Sequence, residues 1–137
     1  MILDSSAVLT ILFREPGFEA FEQVLADAPI CRISAAGFVE VSIVLESRGG
    51  DAVIRQCDAL FREARILIEP VTQEQALLAR QGYSDYGKGR HPAGLNFGDC
   101  FSYALAKALG EPLLFKGDDF RQTDLQPALP RLGRLEA

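Results

Sequence analysis

The sequence predicts an α/β fold, a three-layer α/β/α sandwich with a mostly parallel central sheet. Short apolar segments typical of buried strands alternate with longer segments whose apolar residues recur at helical spacing. Strands that alternate with helices are joined by right-handed crossovers, which place helices on both faces of a parallel sheet. The 137 residues contain no internal repeat or linker and are 48% hydrophobic, so we expect a single domain over residues 1–137.

The first half of the chain contains two predicted strands and four predicted helices. MIL predicts a first strand, and SSAVLTILFRE predicts a helix capped by Ser5 or Ser6. After a break at EPG, FEAFEQVLADA carries its apolar residues on one side of a second helix. ICRIS predicts a second strand, AAGFVEVSIVLESR a third helix that ends at a Gly-Gly pair, and DAVIRQCDALFREA a fourth helix.

The second half continues the alternation around one long loop. RILIEP predicts a third strand, and TQEQALLARQGYSDY predicts a fifth helix opened by Thr72. GKGRHPAGLNFG is rich in Gly and predicts a loop, after which DCFSYALAKALG predicts a sixth helix closed by Gly110. PLLFK predicts a fourth strand followed by GDDF, and the remaining residues predict a short fifth strand and a fraying tail.

The bulk composition excludes several classes of protein. A net charge of −5 argues against a protein that coats nucleic acid by charge alone. The apolar runs are too short and too often interrupted by charge to cross a bilayer, and the N-terminus lacks the features of a signal peptide. We therefore expect a cytoplasmic protein with no membrane partner. The three cysteines form no CxxC motif, which favours small buried hydrophobes over a zinc site or disulfides.

Acidic residues occur where an α/β fold would place apolar side chains or sheet-edge turns. Asp4 follows the first strand, and Glu40 is the only charge in the run ISAAGFVEVSIVL. Asp99 opens the sixth helix, and Asp118 and Asp119 follow the fourth strand. Because sites in parallel sheets form at the carboxyl ends of strands, we expect these carboxylates to meet at one edge.

Each acid also has a simpler interpretation when it is taken alone. Asp99 would be stabilised by the helix dipole as an ordinary first-turn acid, and Asp4 would serve as a helix cap. Asp118 and Asp119 would be turn residues, which aspartate favours after glycine. Glu40 has no cap to form, and a basic partner such as Arg14 or Arg32 would be needed to neutralise it. Taken together, clustered carboxylates repel one another unless they share a cation.

The type of cation follows from the residues available. An oxygen-rich cluster suits Mg²⁺ or Mn²⁺, whereas zinc is disfavoured because the only histidine, His91, lies in the Gly/Pro loop. We interpret His91 and its neighbours Lys88 and Arg90 as a solvated loop in preference to a phosphate contact. The sequence has no GxSxG, GxxxxGK[ST] or GxGxxG motif, so a nucleophilic serine, a P-loop or a Rossmann cofactor is not indicated.

Nearly the whole chain resembles the PIN-domain ribonucleases, specifically the VapC-like toxins of bacterial toxin–antitoxin pairs. The resemblance is carried by MILDSSAVL, by ISAAGFVEVSIVLESRGG and by YGKGRHPAGLNFGDCFSYALAKALGEPLLFKGDDFRQTDL. It implies a PIN-like fold and a metal-dependent endoribonuclease whose Mg²⁺ or Mn²⁺ activates water for phosphodiester hydrolysis. The implied catalytic acids are Asp4, Glu40, Asp99 and Asp118.

The resemblance also implies ligands, supporting residues and partners. Asp4 and Asp99 would be the main metal ligands, with Ser6, Asn96 and Asp119 in supporting roles; Asp119 is the alternative to Asp118 as the fourth acid. The partners would be an RNA substrate, a small cognate antitoxin and a second copy in a homodimer. The apolar faces of the second and fourth helices are a natural groove for the antitoxin, although core packing would also explain them.

Two other functions compete with this interpretation. A receiver-like signalling domain would need an acidic pair after the first strand, where this chain has one acid. A catalytically idle PIN-like module that only binds RNA or protein would not need all four acidic positions.

Overall fold

A computed structural model of the chain describes residues 1–130. Its four strands form one parallel sheet in the order β3-β2-β1-β4. Their bounds are Ile2–Leu3 for β1, Arg32–Ser34 for β2, Leu67–Glu69 for β3 and Leu113–Leu114 for β4. The predicted α/β class with a parallel sheet is confirmed.

Six α-helices connect and cover the strands. Their bounds are Ser5–Leu12 (α1), Phe18–Asp27 (α2), Ala35–Arg48 (α3), Asp51–Glu63 (α4), Gln73–Tyr86 (α5) and Phe97–Leu109 (α6). A short 3₁₀ helix covers Asp119–Gln122. Within residues 1–130, no helix is both long and apolar enough to span a membrane.

The central strand β1 supplies one residue to each of two apolar clusters. Leu3 packs with Ile33 and Leu114 in a cluster built mainly from α1 to α4. Ile2 packs with Leu113 in a second cluster built mainly from α5 and α6. Since successive strand residues point to opposite faces, two-residue strands suffice to build a core on each face, and the sheet is the middle layer of three.

The sequence-based prediction of the first helix differs from the structure at both ends. Neither serine caps α1: Asp4 is the N-cap, and its side chain accepts a hydrogen bond from the Ser6 backbone N–H. The helix ends at Leu12, short of the predicted FRE, and Arg14 adopts a left-handed φ of 50°. Asp and Ser are about equally good N-cap residues, and the cap falls on Asp4 because its backbone is extended, with φ of −79° and ψ of 155°.

Two differences occur near the C-terminus. Helix α6 begins two residues earlier than predicted because Asn96 caps it. No fifth strand forms within residues 1–130; Pro127 makes only an isolated bridge to Leu113. Proline has no N–H to extend a ladder. The predicted fraying tail falls largely on residues 131–137, outside the described part of the chain.

Candidate active site

Asp4 is a buried carboxylate held by hydroxyl and amide donors. It lies at the end of β1 and is only 3% exposed. Its Oδ2 accepts from the Ser6 backbone N–H at 3.0 Å and the Ser6 hydroxyl at 2.6 Å, and its Oδ1 accepts from the Ser102 hydroxyl at 2.6 Å. These bonds offset the cost of burying a polar group and fix the orientation of both oxygens.

Glu40 lies in the second turn of α3 and is held in the same way. The Ser5 hydroxyl donates to its Oε1 at 2.6 Å. The start of α6 packs directly against this carboxylate: a Cβ added at Gly98 would lie 2.5 Å from Glu40 Oε2. A side chain at position 98 would therefore displace the Glu40 carboxylate from its present position.

The basic partners considered for Glu40 are engaged elsewhere. Arg32 donates to Glu69 at 2.5 Å, across neighbouring strands. The guanidinium of Arg14 lies 5.3 Å from the ring centroid of Phe18. The interpretation of Glu40 as half of an ordinary ion pair with either arginine is therefore not supported.

Asp99 is the third carboxylate, and its surroundings show that the acids share one region. It forms a reciprocal capping box with Asn96: the Asp99 N–H donates to Asn96 Oδ1 at 2.9 Å, and the Asn96 N–H donates to Asp99 Oδ2 at 3.0 Å. Burial is the main cause that raises the pKa of Asp99 to about 6, and the Asn96 N–H partly opposes it. The negative charges of Asp4, Glu40 and Asp119 raise that pKa further.

Two neighbouring residues after β4, Asp118 and Asp119, are the candidates for the fourth acid. Asp119 contributes to the raised pKa of Asp99. Asp118 Oδ1 lies 3.8 Å from the guanidinium Nε of Arg121, and its side chain is 70% exposed. Both acids are exposed. The choice between them stays a prediction, and we group Asp119 with the other three acids because its charge raises the pKa of Asp99.

We call Asp4, Glu40, Asp99 and Asp119 the acidic site. Within residues 1–130, no three His, Cys, Asp or Glu side chains form a ready-made set of metal ligands. A Mg²⁺ ion does not need such a set, because it retains several waters and binds through one or two carboxylates. The all-oxygen donors, and the neighbouring negative charges that help to raise the pKa of Asp99, fit a hard divalent cation.

The carboxylates stand out in the sequence, but some of the residues that hold them do not. Ser102 was missed, although it lies three residues after Asp99 and hence on the same face of α6. Ser5 was considered only as a helix cap, and Gly98 only as part of a loop. Their roles depend on contacts with other helices, which no local pattern reveals.

Other predicted features have mainly structural roles. His91 Nδ1 accepts from the Ala93 N–H at 3.0 Å, which makes the histidine part of the loop's own structure. The three cysteines are buried and free, as predicted. On the apolar faces of α2 and α4, residues in the first core cluster support the simpler interpretation of core packing: Phe21, Leu25, Val53 and Cys57.

Comparisons with known proteins identify the family of this chain. The PIN domain family model matches residues 1–125. Ribonuclease VapC28 of Mycobacterium tuberculosis is 51% identical over 132 residues, covering 96% of this chain and 99% of that protein. A Ribonuclease VapC of Mycolicibacterium smegmatis is 50% identical over 125 residues, covering 91% of this chain and 97% of that protein.

Solved structures confirm the fold. The crystal structure of the sarcin-ricin loop cleaving toxin VapC20 of Mycobacterium tuberculosis has a TM-score of 0.75 at 17% identity, covering 94% of this chain and 98% of that one. A toxin–antitoxin complex from Klebsiella pneumoniae has a TM-score of 0.64 at 19% identity, covering 90% of this chain and 92% of the matched chain. On the family match and the identities together, the chain belongs to the PIN-domain family and, within it, to the VapC ribonucleases.

Proposed function

We propose that this protein is a toxin of a toxin–antitoxin pair and a metal-dependent endoribonuclease that hydrolyses RNA at the acidic site. The observation that carries the proposal is the convergence of carboxylates at the start of α6. Glu40 lies against Gly98 in the first turn, Ser102 of the same helix donates to Asp4, and nearby acids help to raise the pKa of Asp99. A carboxylate whose pKa is raised by neighbouring carboxylates is typical of a functional site, because a purely structural site would pair such acids with cations. The names and high identity of the VapC ribonucleases support RNA as the substrate.

Asp4 and Asp99 are the residues that would hold Mg²⁺ or Mn²⁺. When bound, such an ion lowers the pKa of a water ligand and stabilises charge on the phosphoryl oxygens. Ser6 and Ser102 keep both oxygens of Asp4 oriented. Hydrogen bonds of this kind commonly position the carboxylates that bind metals.

Glu40 and Asp119 complete the acidic site in this proposal. The Ser5 hydroxyl holds Glu40 through Oε1, and Oε2 faces the start of α6 beside Asp99. We assign to Glu40 the orientation of the attacking water, for which a fixed carboxylate is suited. Asp119 adds a further negative charge on the side of the 3₁₀ helix. The products would carry 5′-phosphate and 3′-hydroxyl ends.

A cognate antitoxin and a second copy of the chain are the protein partners in this proposal. The toxin–antitoxin complex with the same fold supports an antitoxin partner. Val39 and Ile43 lie one turn apart on α3 and are 53% and 63% exposed, which provides an apolar surface for a protein contact. We assign this surface to the homodimer. A Val39→Asp variant that sediments as the parent does would argue against that assignment.

Substitution of Asp99 tests the catalytic proposal. Asp99→Asn keeps the shape of the side chain but removes its charge, and we expect RNA cleavage in Mg²⁺ to fall by about 10³-fold because several kcal/mol of metal-dependent stabilisation are lost. The matched control is Asp51→Asn, since Asp51 is also a first-turn acid but is exposed on α4. Cleavage is measured on labelled RNA over a Mg²⁺ titration, with a chelator as the zero point.

The outcomes separate the competing functions. Cleavage by Asp99→Asn at the parental rate in Mg²⁺ would contradict the proposal. A parent that binds RNA without cutting it at any Mg²⁺ or Mn²⁺ concentration would indicate the catalytically idle module instead.

A further inference from the structure

A cavity of about 820 Å³ lies between α5 and α6, beside the acidic site. Small and apolar side chains line part of it, including Ala76, Ala79 and Cys100. Phe97 lies at its edge and is 80% exposed, the most exposed large apolar side chain within residues 1–130. The Phe97 ring packs edge-on against Phe101, with the centroids 5.0 Å apart. The cavity thus combines an apolar lining with an aromatic ring that presents most of its surface to solvent.

Three cations line the same cavity: Arg80, Lys88 and Arg90. All three are exposed, and within residues 1–130 none of them forms an ion pair with a carboxylate. The Arg90 guanidinium lies 5.6 Å from the ring centroid of Tyr83, which also lines the cavity. In contrast, Lys107 and Lys116 are both paired with acids. In a chain of net charge −5, this unpaired group of cations favours an anionic ligand.

The cavity and the acidic site share one end of α6. Asn96 lines the cavity and, through the capping box, is hydrogen-bonded to Asp99 at 2.9 and 3.0 Å. Gly98, between these residues, packs against Glu40. A chain that crosses the start of α6 would therefore meet the acids on one side and the cations and aromatic rings on the other.

We propose that the α5–α6 cavity binds one unstacked base of single-stranded RNA against Phe97, while Arg80, Lys88 and Arg90 contact the phosphates that flank it. Aromatic surfaces combined with basic side chains are the usual chemistry of single-strand binding. The cavity volume is in the range of sites for small molecules, a class that includes a nucleotide. This proposal rests on the proposed function, because it places the RNA so that a neighbouring phosphodiester lies over the acidic site.

Binding measured without cleavage tests the cavity directly. The parent and its variants carry Asp99→Asn and are kept in a chelator, and fluorescein-labelled oligouridine is the probe. We expect Phe97→Ala to weaken binding about tenfold through lost stacking, whereas Phe97→Trp retains the parental affinity. A ribose-phosphate oligomer without bases should bind the parent and Phe97→Ala equally, because it has no base to stack.

The phosphate contacts are tested separately, through the dependence of RNA affinity on salt concentration. Arg80→Ala and Arg90→Ala should each reduce the slope of log affinity against log salt concentration by about 0.7. The matched control is Arg55→Ala, since Arg55 is exposed on α4, away from the cavity, and its removal should leave the slope unchanged.

Several results would overturn the proposal. These are undetectable binding of oligouridine to the parent, parental affinity in Phe97→Ala, or an equal loss with the oligomer that lacks bases. Sedimentation that shows Phe97→Ala to dissociate a dimer, with RNA affinity unchanged, would make the cavity a protein interface instead. Each of these would leave the proposed function standing if the unmodified protein still cleaves RNA in Mg²⁺.

Discussion

The acidic site and the α5–α6 cavity lie on two sides of the start of α6, and they differ in how firmly their charged side chains are held. In the acidic site, Asp4 and Glu40 are held by serine hydroxyls, and Asp4 is almost completely buried. In the α5–α6 cavity, the arginines and the lysine are exposed and unpaired within residues 1–130. Groups that hold a metal and direct a reaction need fixed geometry, whereas groups that attract a flexible polyanion can remain mobile. Substitutions that loosen the acidic site should therefore cost more activity than removal of one cation.

Among the tests of this contrast, removal of the hydroxyl that orients Asp4 should have the largest effect on RNA cleavage. Ser102→Ala removes the 2.6 Å donor to Asp4 Oδ1 and should lower RNA cleavage by about 10–100-fold, as is typical of residues that position metal ligands. A weaker apparent Mg²⁺ affinity should accompany the loss, measured as a shift of the Mg²⁺ titration midpoint. Ser47→Ala is the control, because Ser47 is exposed on α3 and donates only to a backbone carbonyl. Equal rates for the two variants would show that Asp4 does not need its hydroxyl partner.

Gly98→Ala tests the close approach between α6 and Glu40. The added Cβ would lie 2.5 Å from Glu40 Oε2, so the carboxylate must move, and we expect cleavage to fall about tenfold with little change in Tm. The combination with Glu40→Gln provides the control. If Gly98→Ala acts through Glu40, the double variant should be no slower than Glu40→Gln alone. If the losses of the two single variants add in the double variant, Gly98→Ala acts through a residue other than Glu40.

Asp118 and Asp119, the two acids after β4, should differ in how much they contribute to RNA cleavage. Asp119→Asn should lower cleavage by several-fold up to about tenfold, because Asp119 belongs to the electrostatic environment of Asp99. Asp118→Asn, its matched control, should have a smaller effect, since Asp118 lies beside Arg121. Initial rates at saturating Mg²⁺ would show the difference. The reverse order would restore Asp118 as the fourth acid.

The smallest expected effect is on stability without metal. Since the pKa of Asp99 in the folded protein is about 6, against 3.8 for the ordinary group, the folded state retains a proton that the unfolded state has lost. Asp99 therefore contributes stability that is present below about pH 3.8 and is lost as the pH rises through about 6. Urea unfolding in a chelator should show this loss in the parent and not in Asp99→Asn. An identical pH profile for the two proteins would contradict the raised pKa.

Local sequence patterns predicted most of the secondary structure. The α3 segment matches its predicted bounds, Ala35–Arg48, because an N-cap and a Gly-Gly stop define a helix through short-range contacts. The first-helix cap was assigned wrongly because Asp4 and both serines are all good capping residues, and only the backbone path selects among them. A short fifth strand was expected in the last segment, but as far as residue 130 the backbone there forms only the bridge at Pro127.

The sequence by itself determined the alternation of strands and helices, and it placed Asp4, Glu40 and Asp99 in apolar or helix-start surroundings that set them apart. Those features depend on neighbours along the chain, where propensity and periodicity operate. Only the tertiary structure decided that Ser102 and Ser5 hold the carboxylates, that Gly98 allows α6 to contact Glu40, and that α5 and α6 leave a cavity beside Asp99. These arrangements join residues far apart in the chain, and their energies arise from packing and hydrogen bonds between elements, which a local pattern does not encode.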